Sequence, residues 1–193
     1  MDCSVILLAL LLSEFWVRAW LELRERRMTQ LRGGFFALLR LIPLVNDIVP
    51  LPESRSIAGA VGNAAKDEEF VQEHEKAHSK LHHGILRNLL KVILLCLAVG
   101  FLLFLVVRLG LPWWQSVLWL HLVAVPVKPL YHWYCWNQEY EADKTAFEKL
   151  GKKSTRDAMR ELVTSEIPFT PLFALFYREH PTAALRSQRL LNR

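Results

Sequence analysis

His74-Glu75-Lys76-Ala77-His78 sets two imidazoles four residues apart, with a carboxylate directly after the first. On a helix that spacing is one turn, about 6 Å along the axis, so both rings share a face and can converge on one metal ion. Glu75 stands about 100° round the helix from His74, poorly placed as a ligand but able to act as general base toward a water at the metal. HExxH on a helix is the pattern of zinc proteases, in which histidine nitrogens bind at about 2.0–2.1 Å. His82 and His83 follow closely, and His78 with His82 makes another four-residue pair. No glutamate follows His78, so that pair lacks a base, and both residues are read as flanking.

The element that must carry the motif is a helix. Lys66 to Glu73 is rich in helix formers, with acidic residues near the start and Gly62-Asn63 as a plausible beginning, which predicts a helix over residues 64–83. A catalytic zinc also needs a third protein ligand and one open position. The acidic stretch from Trp136 to Gly151 offers Glu139, Glu141 and Asp143, which in isolation would pass for a charged surface helix.

Glu139-Tyr140-Glu141-Ala142-Asp143 resembles the Glu-x-x-Ala-Asp helix of the membrane-bound M48 metallopeptidases, the CAAX prenyl protease and HtpX group. The resemblance implies that Glu139 is the third zinc ligand, one Zn2+ per chain. It further implies that Asp143, one turn on, orients a ligand histidine, as metal-bound imidazoles usually require. Tyr177 to Leu190 is similar to the same family's C-terminal His-Pro motif, with an arginine six residues after the histidine. On that likeness His180 stabilises the oxyanion of the tetrahedral intermediate, and Arg186 braces the site near the ligand glutamate. The resemblance runs from about His74 to Arg189. Upstream it departs: only Gly62-Asn63-Ala64 hints at the family's Asn-Ala segment, with no room for its substrate-pairing strand. The M56 sensor peptidases, which also follow HExxH with spans and a distant acidic ligand, are a related class.

The composition, 52% hydrophobic over 193 residues, is high for a soluble protein and points to a lipid bilayer. Val92 to Val107 is an uninterrupted apolar run, giving a span over residues 89–109. Pro112-Trp113-Trp114 turns the chain into a second span over residues 114–134, which His121, Pro126, Lys128 and Pro129 make less apolar and kinked. Residues 3–23 form a retained signal anchor in which Glu14 and Arg18 neutralise each other at i,i+4. Arg24, Arg26, Arg27 and Arg32 follow it, so the positive-inside rule places this flank and the HExxH helix in the cytoplasm. Two further spans return the chain to that side near Glu139.

The expected fold is therefore mainly α: an integral membrane protein of about three transmembrane helices, with a gluzincin-type HExxH core at the cytoplasmic face. All 193 residues form one metallopeptidase domain, with the glutamate-ligand helix over residues 136–151 and a helical C-terminal part over 152–193. Within that part an amphipathic helix is expected from Thr155 to Glu166, then a loop around Pro168 and Pro171. Phe35 to Val49 suggests a membrane-interface helix, and Pro50 to Ser54 a turn. A formal charge of +5 falls on residues beside apolar runs, so anionic lipid headgroups are the expected partner and nucleic acid is not. Cys3, Cys96 and Cys135 have no CxxC spacing and support neither a disulfide framework nor a cysteine zinc site.

The function that follows is an integral-membrane zinc metalloendopeptidase acting on membrane-associated or unfolded protein substrates. About three spans are too few for the larger transmembrane chamber of the family, so prenylated substrates would require a homo-oligomer. The alternative is a non-catalytic zinc-binding sensor or scaffold, in which a fourth protein ligand such as His82 or Glu141 would close the site.

Overall fold

A computed structural model describes residues 3–25, 39–45 and 64–191. Its elements are α1 (Cys3–Arg24), α2 (Ala64–Lys80), α3 (His83–Leu103) running into a π-helical turn (Phe104–Arg108), α4 (Trp113–Ser165), α5 (Pro171–Tyr177) and α6 (Ala183–Leu191). Among the described residues there is no β-strand. The chain packs as two compact units, Met1–Leu51 with Lys91–Lys128, and Pro52–Leu90 with Pro129–Arg193. Arg26, Arg27, Arg32, the turn at 50–54 and most of the expected interface helix at 35–49 lie outside the described residues; the part within them, 39–45, forms turns.

Among the described residues, two helical segments are long and apolar enough to cross a membrane, Ser4–Arg24 in the first unit and His83–Arg108, most of which belongs to that unit. The expected third span at 114–134 falls outside that pair, because His121, Pro126, Lys128 and Pro129 dilute its apolar run. Most of the apolar side chains of α3, including Val92, Leu95, Val99 and Leu103, are exposed, the pattern expected when the surroundings are lipid. In the first unit one polar cluster is instead buried and paired. Glu14 accepts from Arg18 one turn on, and His121 Nε2 lies 2.8 and 2.9 Å from the two Glu14 oxygens. The expected self-neutralising pair thus has a third member, which accounts for a histidine in the first half of α4. Gly110, at φ +63°, takes the left-handed turn that follows the π-helical residues.

The helical backbone of α4 continues through Pro126 and Pro129. Its non-helical residue is Gly151, at φ 80° and ψ 171°, where the expected glutamate-ligand helix ends. The break is required by packing in the second unit. Ala146 and Met159 share one core with Phe70, Ala158 and Leu190, although a straight helix would hold them about 20 Å apart. Glycine is the residue that adopts this conformation at low cost. Pro171, expected in a loop, opens α5 instead: Thr170 caps the helix by accepting from the Phe173 N–H at 3.3 Å, and a proline in the first turn gives up no hydrogen bond.

Candidate metal centre

The second unit contains every residue that the sequence nominates for chemistry. α2 presents His74 and His78 on one face. Phe70, one turn earlier, is buried in the core and stacks on the His74 ring at a centroid distance of 6.3 Å. This apolar anchor fixes which face of α2 turns inward and so where the two imidazoles point.

His74, His78 and Glu139 offer ligand atoms that all lie within 4.8 Å of one another. His74 Nε2 is 3.0 Å from His78 Nε2, and each of these nitrogens is 3.4 Å from a Glu139 oxygen. A tetrahedral ion with bonds of about 2.0–2.1 Å needs donors about 3.3 Å apart, so the spacing fits such an ion. The chemistry of the set fits as well. Two ring nitrogens and a carboxylate facing one another need a positive charge among them, either a proton on a ring or a metal ion that displaces it.

Electrostatics around the group favours that charge. Burial opposes ionisation of Glu139, but the imidazoles of His180, His74 and His78 beside it outweigh burial and hold the carboxyl far below its usual range. Burial likewise opposes a charge on His74, yet hydrogen bonds to Asp143 and Glu139 raise its pKa above the ordinary histidine value. Asp143 is completely buried and accepts from Arg186 twice, at 2.6 and 2.8 Å. Its Oδ1 also lies 2.9 Å from His74 Nδ1. Burial pushes the Asp143 carboxyl up, whereas Arg186 and His74 together pull it below its normal value. A buried carboxylate shared by an arginine and an imidazole fixes the ring so that Nε2 faces the triad.

The sequence-nominated residues are disposed as follows. Glu139 joins the two histidines, and Asp143 contacts His74. Arg186 grips Asp143; the arginine on the glutamate is Arg87, whose Nη2 donates to Glu139 Oε1 at 2.7 Å. His180 Nδ1 lies 3.2 Å from Glu139 Oε2, with its side chain 43% exposed. Glu75 is exposed on α2 directly beside His74. Neither His82 nor Glu141 belongs to the three-ligand group.

The loop bearing His180 is tied at both ends. Glu166 accepts from Arg178 Nη1 at 2.6 Å and from the Ala183 N–H at 2.5 Å, and Trp136 Nε1 donates to the Arg178 carbonyl at 3.2 Å. Thr182 caps α6, accepting from the Leu185 N–H.

One participant, Arg87, escaped the sequence reading, and a second, His83, was read there only as flanking. His82 takes a left-handed φ of 56° between α2 and α3, and the buried ring of His83 comes back against His78, Nδ1 to Nδ1 at 2.9 Å. The usable signal was the four-residue spacing of His83 and Arg87, two polar side chains on one face at the start of a largely apolar helix.

Residues 60–193 match the family model described as Peptidase family M48. Comparison with curated proteins and with solved structures gave no match. With the family model spanning more than half of its length, the chain belongs to peptidase family M48, a family of metal-dependent peptidases.

Proposed function

We propose that the chain is an integral-membrane zinc metalloendopeptidase of the CAAX prenyl protease and HtpX type, one domain with about three spans and its site at the cytoplasmic face. Its substrates are membrane-associated or unfolded protein segments. The observation that carries this reading is the convergence of His74, His78 and Glu139 at spacings that suit a tetrahedral ion, on a helix where Glu75 follows the first histidine.

In this reading His74, His78 and Glu139 hold Zn2+. Bound zinc supplies Lewis acidity, lowering the pKa of a water toward neutrality and polarising the scissile carbonyl. Glu75 takes the proton from the water as its oxygen attacks the carbonyl carbon, and returns that proton to the amine nitrogen as the C–N bond breaks. His180 donates toward the oxygen on which negative charge develops. Asp143, gripped by Arg186, keeps the His74 ring in register. The exposure of His180 and Glu75 suits groups that must meet a substrate.

The test is cleavage of a pool of unfolded proteins and peptides by the detergent-purified, zinc-loaded chain beside Glu75→Gln. Glu75→Gln removes the base and leaves all three ligands in place. Cleavage by the parent alone supports the proposal. Equal cleavage by both, or none by a zinc-loaded parent, overturns it.

A further inference from the structure

We infer that His83, acting with Glu141, is a positioning residue that fixes His78 in the tautomer able to bind metal. The inference rests on the zinc-peptidase reading and adds a component that the motifs do not contain.

The argument is a count of protons along one chain of contacts. The Glu141 carboxylate can only accept a hydrogen bond, and its Oε2 lies 3.3 Å from His83 Nε2. His83 Nε2 must therefore carry the proton and donate. A neutral imidazole has one donor and one acceptor nitrogen, so His83 Nδ1 is bare. That nitrogen is 2.9 Å from His78 Nδ1, which must then carry a proton and donate to it. The remaining nitrogen, His78 Nε2, is left with its lone pair, and it is the atom that faces His74 and Glu139.

Geometry supports a directed bond rather than casual packing. The His78 and His83 rings sit 4.9 Å apart at an interplanar angle of 74°, and His83 is 2% exposed. Five residues on a continuous helix would carry the two rings to different faces. The left-handed His82 breaks the helix and returns His83 to its partner. Each ligand histidine then has a carboxylate behind it: Asp143 on His74 directly, and Glu141 on His78 through His83. Both carboxylates come from α4, two residues apart, and Glu141 ends the relay at the surface with its side chain 66% exposed.

The test measures Zn2+ affinity of the detergent-purified full chain by competition with a chromophoric chelator, together with the visible absorption of the Co2+ form. His83→Leu removes the acceptor, His83→Asn keeps an oxygen where Nδ1 lies, and Glu141→Ala cuts the relay at an exposed side chain. Loss of an outer partner of a ligand histidine typically weakens metal binding about 10–100-fold, so His83→Leu is expected in that range with an altered Co2+ spectrum, His83→Asn within about threefold of the parent, and Glu141→Ala between them. Parent-like affinity in all three variants overturns the relay while leaving the peptidase reading intact. His83→Asn as weak as His83→Leu overturns the acceptor role. Should His83→Leu fail to fold, an unchanged Glu141→Ala overturns the relay by itself. A parent chain that binds neither ion overturns both readings.

Discussion

Asp143→Asn is nearly isosteric, yet the hydrogen bonds around it leave the new amide no satisfactory orientation. Oδ1 serves two partners, Arg186 Nη2 at 2.6 Å and His74 Nδ1 at 2.9 Å, while Oδ2 accepts from Arg186 Nε at 2.8 Å. With the amide NH2 at the Oδ2 place, two donors confront each other and one charge-assisted bond is lost. With the NH2 at the Oδ1 place, His74 Nδ1 must accept, which moves the ring proton to Nε2, the atom that faces the triad. The first orientation costs about 1.5–3 kcal/mol for a hydrogen bond to a charged group, and the second blocks a ligand. Zinc affinity is therefore expected to fall about 10–100-fold, equivalent to about 1.4–2.8 kcal/mol. Chelator competition on the purified chain reads this directly, and helical content by circular dichroism checks that the variant folds. A folded variant binding zinc within about threefold of the parent would refute the claim that the charge of Asp143 strengthens His74 as a ligand, because the neutral oxygen of the first orientation would then serve as well.

The metal itself should stabilise the fold. At a free concentration of 100 times its dissociation constant it contributes about 2.7 kcal/mol, so chelation should lower Tm by several degrees in the parent and hardly at all in Glu139→Gln. In the metal-free protein the folded Asp143 carboxyl binds a proton less readily than the unfolded one. Its stabilisation is present above the unfolded pKa of about 3.9 and is lost as pH falls through the lower folded value, so Asp143→Asn should flatten acid unfolding in that window. Gly151→Ala should destabilise by about 1–3 kcal/mol, because φ 80° with ψ 171° is open to glycine and strained for alanine; a parental Tm would refute the assignment of the break to that residue. Glu166→Ala removes two of the three ties on the His180 loop, sparing that from Trp136, and leaves Arg178 buried without that carboxylate. Turnover should fall with zinc affinity retained, because the loop supplies no ligand; equal loss of metal would show that the loop supports the triad itself.

What could be read in the sequence follows from how local each interaction is. His74 with His78, and Glu139 with Asp143, are pairs one helical turn apart, so periodicity alone puts each on one face and the family resemblance joins them. The break in α4 is a different matter. Gly151 ends the expected glutamate-ligand helix, but that the next helix returns to the same core follows only from Ala146 and Met159 packing together. His83 and Arg87 were harder still. Their partners Glu141 and Glu139 are 58 and 52 residues away, and no periodicity links positions so distant.

One sequence-level argument still reaches them, from the cost of polar groups beside an apolar run. Arg87 enters the helix that carries the chain into its most apolar segment, where an unpaired cation is costly. Its guanidinium engages Gln138 Oε1 at 2.5 Å and Glu139 Oε1 at 2.7 Å, and reaches the Cys135 carbonyl at 3.4 Å. Three acceptors on consecutive turns of α4 form a socket matched to one planar donor. Arg87→Lys keeps the charge but not the fork, and a single ammonium cannot reproduce two directed contacts from separate nitrogens. The variant should therefore remain folded while losing order at Glu139, read as a broadened Co2+ spectrum and weaker zinc binding, about tenfold by the usual effect of an outer partner. Parental metal binding in Arg87→Lys would mean that charge alone suffices, and that the forked geometry has no part in setting the third ligand.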